Sequence, residues 1–149
     1  MYRKAGTGND LAIRALNLVT SVQAYGVYKV RPGNAFRAGE ELAVYCEVLN
    51  FDCRQHENGG YLTALDVDVC IEEPAPAGGG ETGIAWQRRE IDKVRHYTVS
   101  EIRDLHLVVR FPVPAKLDPR QTYWLRLVIR DPISGKSATS SLLKLEIIK

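Results

Sequence analysis

With 149 residues, and 20 Lys and Arg set against 18 Asp and Glu, the chain has the length of one domain that buries roughly 68 to 70% of its unfolded surface without disulfide staples. The near-neutral balance excludes a global field that would steer it to nucleic acid or an acidic membrane, so no nucleic-acid partner is expected. No run of about 18 apolar residues suits a membrane span, and the basic start Met1-Tyr2-Arg3-Lys4 lacks the apolar stretch of a secretory leader behind it.

Residues 1–15 read as a flexible N-terminal segment ahead of a domain spanning 16–149. The opening MYRKAGTGND is polar with two glycines, and Asn9 or Asp10 is placed to cap a helical turn over residues 11–15. From Leu16 onward the alternation of Leu16, Leu18, Thr20, Val22 and Ala24 predicts a strand. It continues extended past Gly26, where a bulge or a switch between sheets is expected, and ends at Arg31-Pro32-Gly33-Asn34.

The stretch from Phe36 to Phe51 is the one the rest must pack against. Arg37-Ala38-Gly39-Glu40 supplies a turn, with Gly39 free to take a positive φ. Leu42, Val44, Cys46 and Val48 then share one face and Ala43, Tyr45, Glu47 and Leu49 the other. Both faces are mostly apolar, which predicts a central strand covered on both sides.

Residues 52–60 read as a polar loop. Tyr61, Thr63, Leu65, Val67, Val69 and Ile71 follow at strict alternation, opposite Leu62, Ala64, Asp66, Asp68, Cys70 and Glu72, so one side is core and the other largely wet. Residues 74–80, rich in Pro and Gly, are expected to be a mobile hairpin tip. Ile84 to Ile91 returns as a charged edge strand, and Ser100 is placed to cap one helical turn over residues 101–104.

Leu105, Leu107, Val109, Phe111 and Val113 alternate until Pro112 and Pro114 forbid further central pairing. Tyr123, Leu125, Leu127 and Ile129 form the next inward set. The turn Asp131-Pro132-Ile133-Ser134-Gly135-Lys136 then leads into a return over residues 137–148, a C-terminal hairpin. Seven or eight strands without a helix longer than two turns define an all-β chain. The expected architecture is an antiparallel two-sheet sandwich of immunoglobulin or fibronectin-III-like type. Its core is expected to contain Leu42, Val44, Val48, Leu65, Val67, Val69, Leu107, Val109, Leu125, Leu127 and Ile129. Gly39, Leu117, Pro119 and Tyr123 are structural candidates, because Leu117-x-Pro119-x-x-x-Tyr123 has the spacing of a tyrosine corner.

The chemistry is sparse. Asp52-Cys53-x-x-His56 is the one tight group of ligand types, which makes Cys53 and His56 weak candidates for half a zinc or copper site, or for a thiol nucleophile with its base. The spacing supplies neither the other two metal ligands nor an orienting group, so solvated loop residues are the favoured reading. Cys46 and Cys70 lie within strand patterns and read as buried free thiols. Asp66 and Asp68 share a sheet face, though two acids without a cleft do not make a glycosidase.

The candidate binding residues are Trp86, Arg88, Arg89 and Tyr97, beside Lys93, Arg95 and His96. Trp124 and Arg126, with Arg130, form a second group. Aromatic and arginine side chains dominate interface hot spots and stack on sugars, whereas charges along an edge strand also serve merely to prevent aggregation. The expected function is a non-catalytic interaction or adhesion module with a protein or glycan partner and no cofactor. The alternatives are a carbohydrate-binding module and a thiol or metal-dependent enzyme using Cys53 and His56.

Gly26-x-Tyr28, Phe36-x-x-Gly39-Glu40-x-Leu42-x-x-Tyr45-x-Glu47-x-x-Asn50-Phe51, Tyr61-x-Thr63-x-Leu65, Arg103-Asp104 and Asp131-x-x-Ser134-Gly135-Lys136 together resemble an uncharacterised family of bacterial β-sandwich domains. The resemblance covers roughly residues 16–148. The pattern is also similar to sandwich domains of the GWxTD type and to the intracellular proteinase inhibitor of bacilli. It implies an immunoglobulin-like domain of an exported or envelope protein, hence a periplasmic or extracellular location, and it brings no catalytic residue set. The glycine-rich stretch at 74–83 departs from the shorter turn of that pattern.

Overall fold

Strands that are apolar on both faces cannot be satisfied by one open sheet. The computed structural model describes residues 2–4, 10–74, 78–80 and 82–149 and shows two sheets, with no helix among these residues. In chain order the strands are β1 (Tyr2–Lys4), β2 (Ala12–Ala24), β3 (Val27–Val30), β4 (Ala35–Arg37), β5 (Glu41–Leu49) and β6 (Asp52–Gln55). They continue as β7 (Tyr61–Glu72), β8 (Ile84–Thr98), β9 (Leu105–Pro112), β10 (Thr122–Asp131), β11 (Lys136–Thr139) and β12 (Leu143–Ile148). The smaller sheet has the order β3-β2-β5-β9. The larger runs β1-β6-β7-β10-β12-β4, with β8 added on β7 and β11 on β10.

β5 lies between β2 and β9 and is buried along almost its whole length. Leu42, Val44, Cys46 and Val48 point into the core between the sheets, and all eleven expected core residues are buried there. On the opposite face Ala43 and Tyr45 pack with Val19, and Tyr28 of β3 stacks on Tyr45 at 4.0 Å between ring centroids. The second face is thus covered from within its own sheet.

Gly26, at φ 73°, turns an antiparallel β2–β3 hairpin within one sheet instead of marking a bulge or a switch between sheets, and four further expectations need correction. First, residues 12–15 are strand rather than a helical turn or loose segment: Ala12 to Arg14 pair with Leu49 to Glu47, and a bulge follows in which Ala15 has φ 54°. Pairing with a buried neighbour outweighs one capping bond, and the bulge breaks the alternation that would have shown it. Residues 1 and 5–9 of that segment lie outside the described residues.

Second, the polar stretch 52–60 begins with β6, whose Cys53 to Gln55 pair with Thr63 to Tyr61. Third, β8 runs on to Thr98, and residues 101–104 are irregular rather than a helical turn. Fourth, the C-terminal return divides at Ser140, which donates its N–H to Leu127 O (2.8 Å) and accepts Leu127 N–H on Oγ (2.9 Å). β11 and β12 therefore pair with different halves of β10. Such divisions raise the number of strands above seven or eight. Glu73 N–H donates to Gly83 O (2.8 Å) at the base of the β7–β8 hairpin; within the expected mobile tip, 75–77 lie outside the described residues.

Tyr123 Oη accepts the Asp118 N–H at 2.8 Å, five residues upstream, above the buried Leu117. Pro119 lies inside the loop so closed. Gly39 takes φ 82° and donates its N–H to Val113 O. Asp131 is fully buried and accepts from Asp52 N–H (2.8 Å), Ile133 N–H (3.0 Å) and Ser134 Oγ–H (2.9 Å). It ties the β10–β11 turn to the start of β6.

Candidate interaction surface

β8 is a 15-residue strand at the end of the larger sheet, and among the described residues its only strand partner is β7. Its register with β7 shifts between Val67 and Val69, where β8 bulges at Glu90. Glu90 there has φ 51° and donates its N–H to Asp68 Oδ1 at 2.7 Å. The bulge divides the strand into two runs with different surroundings.

In the first run Trp86 pairs with Ile71, shares its inward face, and stacks on Phe111 of β9 at 5.1 Å. Trp86 is therefore half-buried against the core. Arg88 lies across from the buried Val69 yet is exposed, and Arg89 is exposed beside it. Neither makes an ion pair among the described residues.

In the second run Tyr97 lies across from Leu62, on the outer face. Trp86 and Arg88 lie across from the inward-facing Ile71 and Val69, whereas Tyr97 is set apart from them across from Leu62. Strand parity sends Trp86 and Tyr97 to opposite faces, and the bulge lies between them.

Tyr97 belongs instead to a pocket at the end of the sheet. His56, Asn58, Gly59, Gly60, Tyr61, Tyr97, Thr98 and Val99 line a cavity of about 490 Å³ open to solvent. The His56 and Tyr97 rings lie 5.2 Å apart. Tyr97 is 70% exposed and Val99 91%, while His56 Nε2 is buried without a hydrogen-bond partner among the described residues. The turn closes on itself, with His56 N–H donating to Gly60 O (2.7 Å) and Gly60 N–H to Asn58 Oδ1 (3.1 Å). Sequence reasoning missed Tyr61 and Val99 here. The signal was the hairpin pairing Tyr61 with Thr98, hidden by ending the second strand at Ile91.

Cys53 and His56 have different surroundings. Cys53 is fully buried, its Sγ 3.3 Å from Thr63 Oγ1 and donating toward Ile102 O at 3.9 Å. His56 lies beyond the strand end at the pocket. Among the described residues no three His, Cys, Asp or Glu side chains are grouped as a metal would need. Cys46, Cys53 and Cys70 are all buried free thiols.

The outer face of the larger sheet carries cross-strand ion pairs. Arg126 binds Glu72 at 2.9 Å, Arg95 binds Asp66 at 2.8 Å, and Arg130 holds both oxygens of Asp68. Arg130 keeps the Asp68 carboxyl below the usual carboxylate range, burial opposing it. Asp66 and Asp68 are thus held by arginines, and Arg126 is tied to Glu72 through Nη2 while its buried Nε has no hydrogen-bond partner among the described residues. Trp124 is half-buried, with Glu72 and Lys144 as its cross-strand neighbours.

On the smaller sheet Glu47 is almost wholly buried. It accepts from Tyr45 Oη–H (2.7 Å) and Arg14 Nε–H (2.8 Å), and Tyr45 Oη accepts Gly26 N–H. Burial pushes the Tyr45 phenol up to about 12. For Glu47 the raising effect of burial is outweighed by the bonds from Tyr45 and Arg14 together, leaving its carboxyl lowered. Each polar group here is satisfied by a neighbour, which fixes the β2–β5 bulge.

No protein-family model and no curated protein matches the sequence. The fold is similar to that of the sporulation control protein Spo0M from Bacillus subtilis, at TM-score 0.51 and 9% identity, over 95% of this chain and 50% of that one. The chain therefore spans about half the length of Spo0M, and the likeness is one of fold alone. A beta-glucosidase from Listeria innocua in complex with isofagomine aligns at TM-score 0.34 and 10% identity, over 98% of this chain and 16% of that one, too low to carry a structural argument. Among the described residues no helix is long and apolar enough to cross a membrane.

Proposed function

We propose that this chain is a non-catalytic β-sandwich interaction module that takes a protein partner at the end of β8. The observation that carries this reading is the exposure of Tyr97 and Val99, at 70% and 91%, beside the His56 and Tyr61 pocket. A large aromatic and a β-branched residue displayed together at an open pocket are typical of contact surfaces. The burial of Cys53 argues against the thiol or metal-dependent enzyme. The immunoglobulin or fibronectin-III-like class and the exported or envelope setting are parts of the same proposal. The bond from Asp118 N–H to Tyr123 Oη supports the first, and the sequence resemblance supports the second.

A glycan partner is the second reading, favoured by the rings of His56, Tyr61 and Tyr97 around an open cavity of about 490 Å³, since such rings stack on sugars. Double substitution Tyr97→Ala with Val99→Ser tests both. The expected result is loss of a discrete co-purifying protein at unchanged melting temperature. Tyr97-dependent binding on a glycan array would transfer the site to a sugar, and a partner set unchanged by the double variant would contradict the proposal.

A further inference from the structure

Two sheet edges lie open on the same side of the sandwich. β8 ends the larger sheet and β9 the smaller, and among the described residues neither has a strand on its outer edge. The chain crosses from one to the other through residues 99–104, and the stack of Trp86 on Phe111 pins them together near one end. Between them Ile91, Asp92, Val108, Val109 and Arg110 line a gap of about 230 Å³. The seam is thus unclosed by backbone bonds.

An open edge presents unpaired N–H and C=O groups in register for another strand. β8 is bounded by features that limit self-association: the Glu90 bulge, the charged Arg88 on an inward face and Asp92 lining the gap. Its charge is also uneven. Lys93 is paired to Glu90 at 3.5 Å and Arg95 to Asp66 at 2.8 Å, whereas Arg88 and Arg89 are exposed and make no ion pair among the described residues, Arg89 only adding to the field that lowers the Asp68 carboxyl. A segment laid along β8 would meet these two exposed guanidinium groups at the first run and the Tyr97–Val99 pocket at the far end.

We infer that β8 binds an acidic, extended segment of a partner protein by strand addition, its backbone completing the larger sheet and its carboxylates meeting Arg88 and Arg89. The inference rests on the interaction-module reading and names the chemistry of the partner. Strand addition takes its affinity from main-chain bonds and its selectivity from alternate side chains. An acidic segment answers the arginines better than a second copy of β8, which carries the same two arginines.

The test is a fluorescence anisotropy titration of the intact chain with a labelled ten-residue peptide of Glu and Val arranged in like pairs, so that carboxylates fall on both faces of the added strand, as Arg88 and Arg89 do on β8. Controls are the same peptide with Lys for Glu and a version N-methylated at alternate residues. Saturable binding of the acidic peptide is expected, weakened at least tenfold by N-methylation, by the Lys exchange and by Arg88→Glu with Arg89→Glu. A circular dichroism melt of each variant verifies folding, and the N-methylated peptide tests the backbone contribution with the protein unchanged.

No saturable binding of the acidic peptide, or binding indifferent to N-methylation, would overturn strand addition. So would a concentration-dependent dimer that Arg88→Glu with Arg89→Glu dissolves, because it would assign the edge to a second copy. Tyr97→Ala in the same titration separates the two proposals. Binding that needs Tyr97 but tolerates N-methylation keeps the interaction module and removes strand addition. Binding that needs Arg88, Arg89 and the peptide N–H groups but not Tyr97 keeps strand addition and removes the pocket from the contact.

Discussion

Tyr123 shows how one side chain can hold a crossover. Its phenol accepts the Asp118 N–H at 2.8 Å while its ring is buried beside Leu117. Tyr123→Phe keeps the ring and removes the acceptor, so a loss of about 1 kcal/mol is expected in urea denaturation; no loss would show that water replaces the bond freely. Asp68 supplies a pH signature. Because Arg130 lowers its folded value, its contribution is fully present above the unfolded carboxylate value near about 4 and is lost as pH falls through the folded value. The stability difference between the wild type and Asp68→Asn should be greatest near neutrality and shrink towards acid. A difference unchanged from neutral to acid pH would refute the pairing.

The cysteines make a third case. Burial pushes Cys46 up to about 12 and raises Cys70 as well, and the thiolate is the reactive form. A thiol reagent near pH 8 should find almost no fast-reacting cysteine in the folded protein and all three of the sequence after unfolding. A single fast thiol traced to Cys53 would reopen the enzyme reading.

At the scale of the element, β8 is organised by its bulge. The two extra residues around Glu90 return the strand to register while separating Trp86, drawn to Phe111, from Tyr97, sent to the outer face. Arg88 and Arg89 make no ion pair among the described residues, so Arg88→Ala with Arg89→Ala should change folding stability by no more than about 0.5 kcal/mol. A larger loss would make those arginines structural.

The two faces of β5 and β7 were legible because alternation over many residues has one outcome when one face is buried. The Gly39 turn and the Tyr123 spacing were legible because a specific residue type is required at each. The start of β2 and the far half of β8 were not, since bulges at Ala15 and Glu90 break the period that marks a strand. The pocket was invisible for the same reason. His56 and Tyr97 meet only once Tyr61 is placed opposite Thr98.

For the whole molecule, the consequence of the topology is asymmetry between its two sides. β4 is tied to β12 by parallel pairing, and Arg31 lies over the Phe36 ring at 4.0 Å while bonding Ala35 O and Glu40. Among the described residues the side of β8 and β9 has no comparable closure, and it carries the exposed Tyr97, Arg88 and Arg89. The central claim is that β8 is an unpaired edge in the folded chain. Residue-resolved amide hydrogen exchange of the free protein tests it most directly, because amides facing an open edge exchange by local rather than global opening. Alternate amides along Ile84–Thr98 are expected to exchange rapidly while those of β5, β7 and β10 exchange only near the global unfolding limit. Uniform slow exchange along the whole of β8 would show that its outer edge is already covered, and would contradict the account.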